Sequence, residues 1–525
     1  MSSKTATILK EHPLEDLAGQ LFCPAAFIHD DEAGIEDMER LIREQKIGGI
    51  TFFHSRASAA TNYEKKEVIS YADSLEKLKQ LISRYQAISE IPLLISIDAE
   101  WGLAMRVEET PQYPYAITLG SLDEQYDDLI FEAGYQIGRD LKSAGIDFNL
   151  APVVDINTNP QNPVIGYRSF GASREKVFQK AAQYCEGLAR AGVANSLKHF
   201  PGHGDTAVDS HLGLPVIGKS RKELEEQELY PFKKLIAKGV DSVMVGHLAV
   251  PALSGHDTLP ATLSEKIIKG VLREEMNFEG VVISDALNMH SVSKLYPEKG
   301  LLELKAFQAG NDMLCFSENI KEGKEKILRN CSEASIREAV ERILSLKEKV
   351  GTLESKKPIG EPDHEKAKDI NTRIAQKSIV SLKIKTPEIS PDTVVLVGEH
   401  KRENGFLKTL ETSQKFTAIR VDKHTGNLNL STQNEIVVAL YPPHVKPAGN
   451  FGYSDENLEM LKGLTERHRV TFLVFGNHYS VQVIPGIKDA ANILFCGQHL
   501  KAFQKTAARI LNGELTPEGK LPFGL

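Results

Sequence analysis

The sequence predicts an α/β protein: an N-terminal (β/α)8 barrel of the TIM type, followed by a smaller C-terminal three-layer α/β sandwich domain. Three observations carry this. Short β-type apolar runs alternate with amphipathic helical stretches over roughly the first 350 residues, which implies parallel strands joined by right-handed crossovers. Eight such runs occur, the number that closes a barrel. A second, shorter alternation follows a polar connector. On pattern alone, a doubly wound open sheet is the competing topology for the first part.

The eight runs are 20–25, 48–53, 93–98, 147–151, 193–199, 242–247, 280–285 and 312–315. Helical patterns between or after them cover 174–191, 221–238, 264–276 and 335–349. Residues 351–390 are rich in Lys, Glu, Pro and Asp and read as a linker with one helix near 365–382. Beyond it, 394–397, 436–440, 472–475 and 493–495 are buried-type strands, with helices expected at 456–466 and 500–511. The expected domains are therefore 1–350, the linker 351–390, and 391–525. His478 and Tyr479 follow a strand of the second domain and read as part of an ordinary loop.

At 525 residues the chain exceeds one ordinary core, which fits two domains. With 41% hydrophobic and 26% charged residues it has the balance of a soluble globular protein. A formal net charge of −8 argues against nucleic acid or an anionic membrane as the main partner. The five cysteines are scattered and odd in number, which suggests no disulfide framework and a reducing compartment. Residues 1–13 lack an apolar h-region, so the expected location is the cytoplasm; no segment is apolar enough to span a bilayer. Nothing points to an organic cofactor, and the oligomeric state is left open.

The ends of the runs carry the chemistry. Asp98, His199, His247 and Asp285 all stand where an apolar run stops, and enzymatic barrels build their sites at the C-terminal ends of their strands. The densest stretch is Lys198-His-Phe-Pro-Gly-His-Gly-Asp-Thr-Ala-Val-Asp-Ser-His211. A core cannot bury so many polar groups unpaired, so the stretch reads as a strand running into an active-site loop. Asp209 and His211 are two apart and point to one side of an extended segment. The aspartate can then orient the imidazole, whose reference pKa of about 6.5 suits an acid that later acts as base. The same two residues could instead be a structural pair. His199, His203, Asp205, Asp209 and His211 are also conceivable metal ligands, but no helical His-x-x-x-His pair is present and Lys198 would oppose a cation, so no metal is expected. Asp285 can serve as nucleophile, base or electrostatic stabiliser. Asp98, Arg106 and Arg168 could make charge-assisted hydrogen bonds to a polyhydroxylated ligand.

Lys198-His-Phe-Pro-Gly-His-Gly204 followed by Asp209-Ser-His211 resembles the signature of glycoside hydrolase family 3, and more narrowly its β-N-acetylglucosaminidase branch. Arg168-Ser-Phe-Gly, Ile-Ser-Asp285, Ala309-Gly-Asn-Asp-Met and the closing Gly519-Lys-Leu-Pro fit the same pattern. The resemblance implies a retaining exo-β-N-acetylglucosaminidase acting on muropeptide or chitin-type ends. It implies Asp285 as nucleophile, His211 with Asp209 as acid/base, and Asp98, Arg106, Arg168, Lys198 and His199 as sugar contacts. The expected partner is a small carbohydrate. A β-N-acetylglucosaminide phosphorylase, a glucosidase or xylosidase of the same fold, and a non-catalytic sugar-binding protein are the alternatives. One departure stands out: the third-strand motif, usually Asp-x-Glu-Gly-Gly, here reads Asp98-Ala-Glu-Trp101-Gly102, with the chain's only tryptophan.

Overall fold

The computed structural model describes residues 3–56, 72–206, 213–354, 360–383, 393–398, 405–411, 417–421 and 435–524. It divides into two compact units: residues 1–113, 131–156 and 177–364 form one, and 114–130, 157–176 and 365–525 the other. Two segments that lie between strands of the first unit in sequence thus belong to the second.

The first unit is the barrel. Its first expected strand is split into β1 (Phe22–Cys23) and β2 (Ala25–Phe27). The break falls at Pro24, which has no N–H to donate to a ladder. The remaining strands follow as β3 (Gly49–Phe53), β4 (Leu94–Ile97), β5 (Phe148–Asn149), β6 (Ala194–Phe200), β7 (Ser242–Val245), β8 (Val281–Ser284) and β9 (Leu314–Cys315). From β2 to β8 they pair in chain order, all parallel. β9 pairs with β1 in parallel. Backbone bonds complete the ring: Met313 N–H to Val282 O (3.0 Å) on one side of that pair, and Gly48 N–H to Phe22 O (3.1 Å) on the other. The closed barrel, rather than the open sheet, is the topology present.

Two expected helices differ in form. The pattern at 221–238 is two helices, Arg221–Glu226 and Leu229–Ile236. Pro231 explains the break, because its ring would collide with the carbonyl of Gln227 four residues back; Gln227 leaves the helical region at φ −120°, ψ −83°. A capping box of Ser220 and Glu223 starts the first piece. The stretch Lys266–Glu275 is π-helical, closing with Met276 N–H to Val271 O at 3.0 Å. Inside the barrel, small polar side chains pair with one another: Thr51 and Ser96 hydroxyls lie 2.8 Å apart, and Cys23 Sγ is 3.2 Å from Thr51 Oγ1.

The second unit holds a six-stranded sheet in the order β10-β15-β14-β13-β11-β12, with β10 (Val380–Ser381), β11 (Val394–Gly398), β12 (Thr417–Val421), β13 (Glu435–Leu440), β14 (Arg469–Val474) and β15 (Asn492–Phe495). Only β10 is antiparallel. Two of these strands, β10 and β12, exceed the four expected. Helix His364–Ser378 ends before β10, so the expected span to 382 was too long. Val395, Val397, Phe406, Val437, Leu473, Phe475 and Leu494 form its core, with the Tyr441 and Phe475 rings stacked at 4.8 Å. His478 and Tyr479, expected in an ordinary loop, are buried in the 3-10 turn His478–Val483, and burial pushes the His478 imidazole down to about 3. Among the described residues, no helix is long and apolar enough to cross a membrane.

Candidate active site

The site grows from the C-terminal ends of the barrel strands. Asp98 is the first residue after β4, and Lys198 lies within β6. Lys198 Nζ stands 2.8 Å from Asp98 Oδ1 and 2.8 Å from Glu100 Oε1, while Arg106 Nη2 reaches Asp98 Oδ2 at 2.9 Å. Asp98 and Glu100 alternate onto the same side of the chain as it leaves the strand, which is why one buried ammonium meets both. Burial raises the Asp98 carboxyl, but Lys198 and then Arg106 outweigh it and hold the group well below the usual carboxylate range. The Arg106 guanidinium lies 4.0 Å above the Phe53 ring. Its Nε is buried and, among the described residues, has no hydrogen-bond partner.

Beside this clamp is a pair the sequence did not expose. Asp155, fully buried, accepts from His199 N–H (3.1 and 3.2 Å to its two oxygens), from His203 N–H (2.7 Å) and from His199 Nδ1 (2.7 Å). Burial raises Asp155, yet His199 and these bonds bring it below its ordinary value. The carboxylate therefore holds the proton of His199 on Nδ1, leaving Nε2 as the other ring nitrogen. The apolar run was expected to stop at Ala151, before Pro152. In fact Val153 and Val154 continue beside β6, with Val154 N–H bonded to Lys198 O at 2.8 Å. A charged residue ending an apolar run, the signal that picked out the others, was present here too, four residues later.

Asp285 is the first residue after β8; its N–H donates to Val245 O (2.9 Å) and its Oδ1 accepts from Ala286 N–H (2.8 Å). His247, fully buried, donates from Nε2 to Ala286 O at 2.9 Å and meets Thr262 Oγ1 through Nδ1 at 2.8 Å. Two buried groups register Asp285 electrostatically with the rest. The His203 imidazole is pushed down to about 4 by burial and then by His199, with Asp155 and Asp285 acting in the opposite sense. The Cys315 thiol is raised well above its ordinary value by burial, with Asp285 and Asp98 adding to the rise. Asp98, Arg106, Lys198, His199 and Asp285 are thus gathered in one unit.

The loop beyond β6 is anchored at its start. A Cβ on Gly204 would lie 1.8 Å from Ile156 O, so only glycine fits there. Lys219 Nζ ties Asp205 (3.0 Å) to the buried Glu228 (2.5 Å). Asp209 and His211 lie outside the described residues. Arg168 ends a short turn, Gly166–Arg168, of the second unit, where its Nη1 is 3.3 Å from Val164 O. The Lys198–His199, Phe200–Pro201 and Ala151–Pro152 peptides are cis.

Residues 14–346 match the family model described as glycosyl hydrolase family 3 N terminal domain. The chain belongs to glycosyl hydrolase family 3. Among curated members, it is 34% identical over 291 residues to a beta-hexosaminidase A of Pseudoalteromonas piscicida, an alignment covering 53% of this chain and 47% of that one. It is 30% identical over 358 residues to a beta-N-acetylglucosaminidase/beta-glucosidase of Cellulomonas fimi, covering 66% and 59%. The chain thus spans about half to three fifths of the length of these two relatives. Among solved structures, a glycoside hydrolase family 3 beta-N-acetylglucosaminidase from a Paenibacillus species superposes with a TM-score of 0.79 at 28% identity, over 98% of this chain and 99% of that one. The family 3 membership agrees with the resemblance read from the Lys198–His211 stretch.

Proposed function

We propose that this family 3 protein is a retaining exo-β-N-acetylglucosaminidase that removes terminal β-linked N-acetylglucosamine from muropeptide or chitin-type oligosaccharides. The observation that carries the reading is the clamp of Asp98 between Lys198 and Arg106, built on strand ends of the same barrel that ends β8 in Asp285. An ionised carboxylate flanked by two cations offers acceptors and donors to vicinal sugar hydroxyls, and His199, oriented by Asp155, adds a further polar edge. Arg168 enters the proposal only through the resemblance of Arg168-Ser-Phe-Gly to the family pattern. The names of the relatives support the N-acetylglucosaminide.

In this mechanism Asp285 attacks the anomeric carbon as the bond to the leaving oxygen breaks, and His211, as imidazolium, gives that oxygen its proton. Asp209 accepts from the other imidazole nitrogen and stabilises the charged ring. Water then gives its proton to His211 and its oxygen to the anomeric carbon, freeing Asp285 with retention of configuration.

The test is hydrolysis of 4-nitrophenyl β-N-acetylglucosaminide. Turnover should fall by at least about 10⁴-fold in Asp285→Asn, with an unchanged melting temperature, and the β-anomer should be the first product seen by NMR. Unchanged turnover in Asp285→Asn would overturn the assignment. If N-acetylglucosamine 1-phosphate accumulates in phosphate buffer as the main product, the enzyme is a phosphorylase. Turnover of the glucoside or xyloside alone would move it to another branch.

A further inference from the structure

We propose that the rim of the barrel mouth carries a divalent transition-metal site, suited to zinc, formed by His29, His54 and Glu108. These three come from consecutive strands: His29 follows β2, His54 follows β3, and Glu108 stands on the loop after β4. Their ligand atoms all lie within 4.8 Å of one another, and all three side chains are partly open to solvent. Two imidazoles and a carboxylate are a donor set that zinc and neighbouring first-row ions favour. In a tetrahedral zinc shell, with bonds of about 2.0–2.1 Å, ligand atoms sit about 3.4 Å apart. A pair at the 4.8 Å limit has to close by about 1.4 Å, within the reach of a side-chain rotation.

The scaffold holds the donors for that geometry. His29 N–H donates to His54 O at 3.1 Å and Ile28 N–H to Phe53 O at 3.0 Å, extending the β2–β3 ladder through both histidines. A serine joins two of the three groups, and the third bonds to one of them. Ser74 Oγ donates to Glu108 Oε2 at 2.5 Å, so His29 Nε2 at 2.7 Å is the donor to Ser74; Glu108 Oε1 in turn accepts from His54 Nε2 at 2.6 Å. A metal ion held through these nitrogens would take the place of their protons, leaving Ser74 on Glu108 Oε2 as a supporting hydroxyl of the kind metal sites recurrently use. Of the described charges, Lys77 opposes positive charge at His29 and Glu108 favours it, while Arg56 is engaged by Asp30 in a two-pronged pair.

The location gives the ion a role. Glu108 lies two residues beyond Arg106, and Phe53, which the Arg106 guanidinium covers, immediately precedes His54. An ion on this triad fastens the loops after β2, β3 and β4 together and stiffens the segment that presents Arg106 to Asp98. The ion is a brace on the rim and takes no part in bond breaking.

The test uses the full chain, stripped with EDTA and titrated with zinc chloride, reading bound metal by equilibrium dialysis and mass spectrometry and stability by calorimetry. Neither readout depends on activity. The wild type should bind one zinc equivalent that His29→Asn, His54→Asn and Glu108→Gln each lose, together with the zinc-induced rise in melting temperature. Ser74→Ala should retain the site with affinity weakened about 10–100-fold. Three variants guard against one failing to fold. The proposal is overturned if the wild type binds no zinc at micromolar concentration. It is equally overturned if the folded variants bind as much as the wild type, which would place the ion elsewhere, for instance among the histidines of the Lys198–His211 stretch.

Discussion

Asp155 is the most informative residue to perturb, because one carboxylate organises both histidines next to the lysine clamp. Replacing it by alanine strips four contacts and leaves the His199 and His203 N–H groups buried without acceptors. Each buried donor left without its acceptor costs about 1–3 kcal/mol, so the two orphaned amides put the loss at about 3–5 kcal/mol. For a unit of roughly 330 residues, about 2.1 cal/mol/K per residue gives a melting entropy near 0.7 kcal/mol/K, so the expected drop is about 4–7 °C. Asp155→Asn behaves differently. Its remaining oxygen still accepts from the backbone, and its NH2 drives His199 to the Nε2–H tautomer, so stability falls by only about 1–2 kcal/mol while sugar binding and turnover fall sharply. The pH dependence has a fixed sign. The folded pKa of Asp155 is depressed below 3.8, so its contribution is complete above 3.8 and fades as pH falls through the folded value. The calorimetric gap between wild type and Asp155→Ala should therefore be constant from pH 7 to 5 and narrow toward pH 3. Calorimetry across that range, with kcat and KM measured at pH 7, is the assay. A folded Asp155→Ala within 1 °C of wild type, or an Asp155→Asn with full kcat/KM, would refute the reasoning.

Two further outcomes follow from other buried charges. Lys198→Met leaves Asp98 and Glu100 facing each other without their shared ammonium; affinity for N-acetylglucosamine measured by calorimetric titration should fall at least about tenfold, and unchanged affinity would remove the clamp from the site. Lys347, fully buried with Nζ 2.7 Å from Gln20 Oε1, is pushed by burial from 10.5 down to about 7. Between those values the unfolded chain holds a proton that the folded one has released, so Lys347 makes stability rise with pH over that window. The melting temperature of Lys347→Met should rise less from pH 7 to 9 than that of the wild type, and parallel curves would show that the amine is not neutral in the fold.

The barrel was legible because its strands are buried, apolar and separated by amphipathic helices, a pattern that survives irregular edges. What escaped was local. Pro24 divided the first strand, and Pro231 divided a helix that hydrophobic periodicity had joined. β10 is two residues long and too short to register as a run. Among candidate site residues, Asp98, His199 and Asp285 were legible as polar stops to apolar runs, and Lys198 as the start of the dense polar stretch. Asp155 escaped because the expected strand ends at Ala151, whereas pairing with β6 continues to Val153. The partnership of Glu100 with Lys198 joins strands about a hundred residues apart, and spacing along one chain carries no trace of it.

The one departure from the family pattern, Trp101 in place of the first glycine of the third-strand motif, can be judged from the backbone. The two glycine positions are not equivalent. Gly102 has φ +90°, and a Cβ there would lie 2.8 Å from the Tyr113 ring and 3.0 Å from Pro111 O, so that glycine is required twice over. Position 101 is not among the left-handed residues, and its carbonyl accepts from Tyr113 N–H at 3.0 Å in ordinary geometry. A tryptophan there strains nothing in the backbone. Nor does it displace the clamp, because Asp98 and Glu100 still reach Lys198 from either end of their alternation. The departure therefore leaves the proposed sugar clamp intact, and its consequence is confined to whatever the partly exposed indole touches. That makes residue 101 a place to alter substrate preference without dismantling the site: Trp101→Gly should keep the fold and the Asp98 clamp while shifting KM among N-acetylglucosaminides of different aglycone.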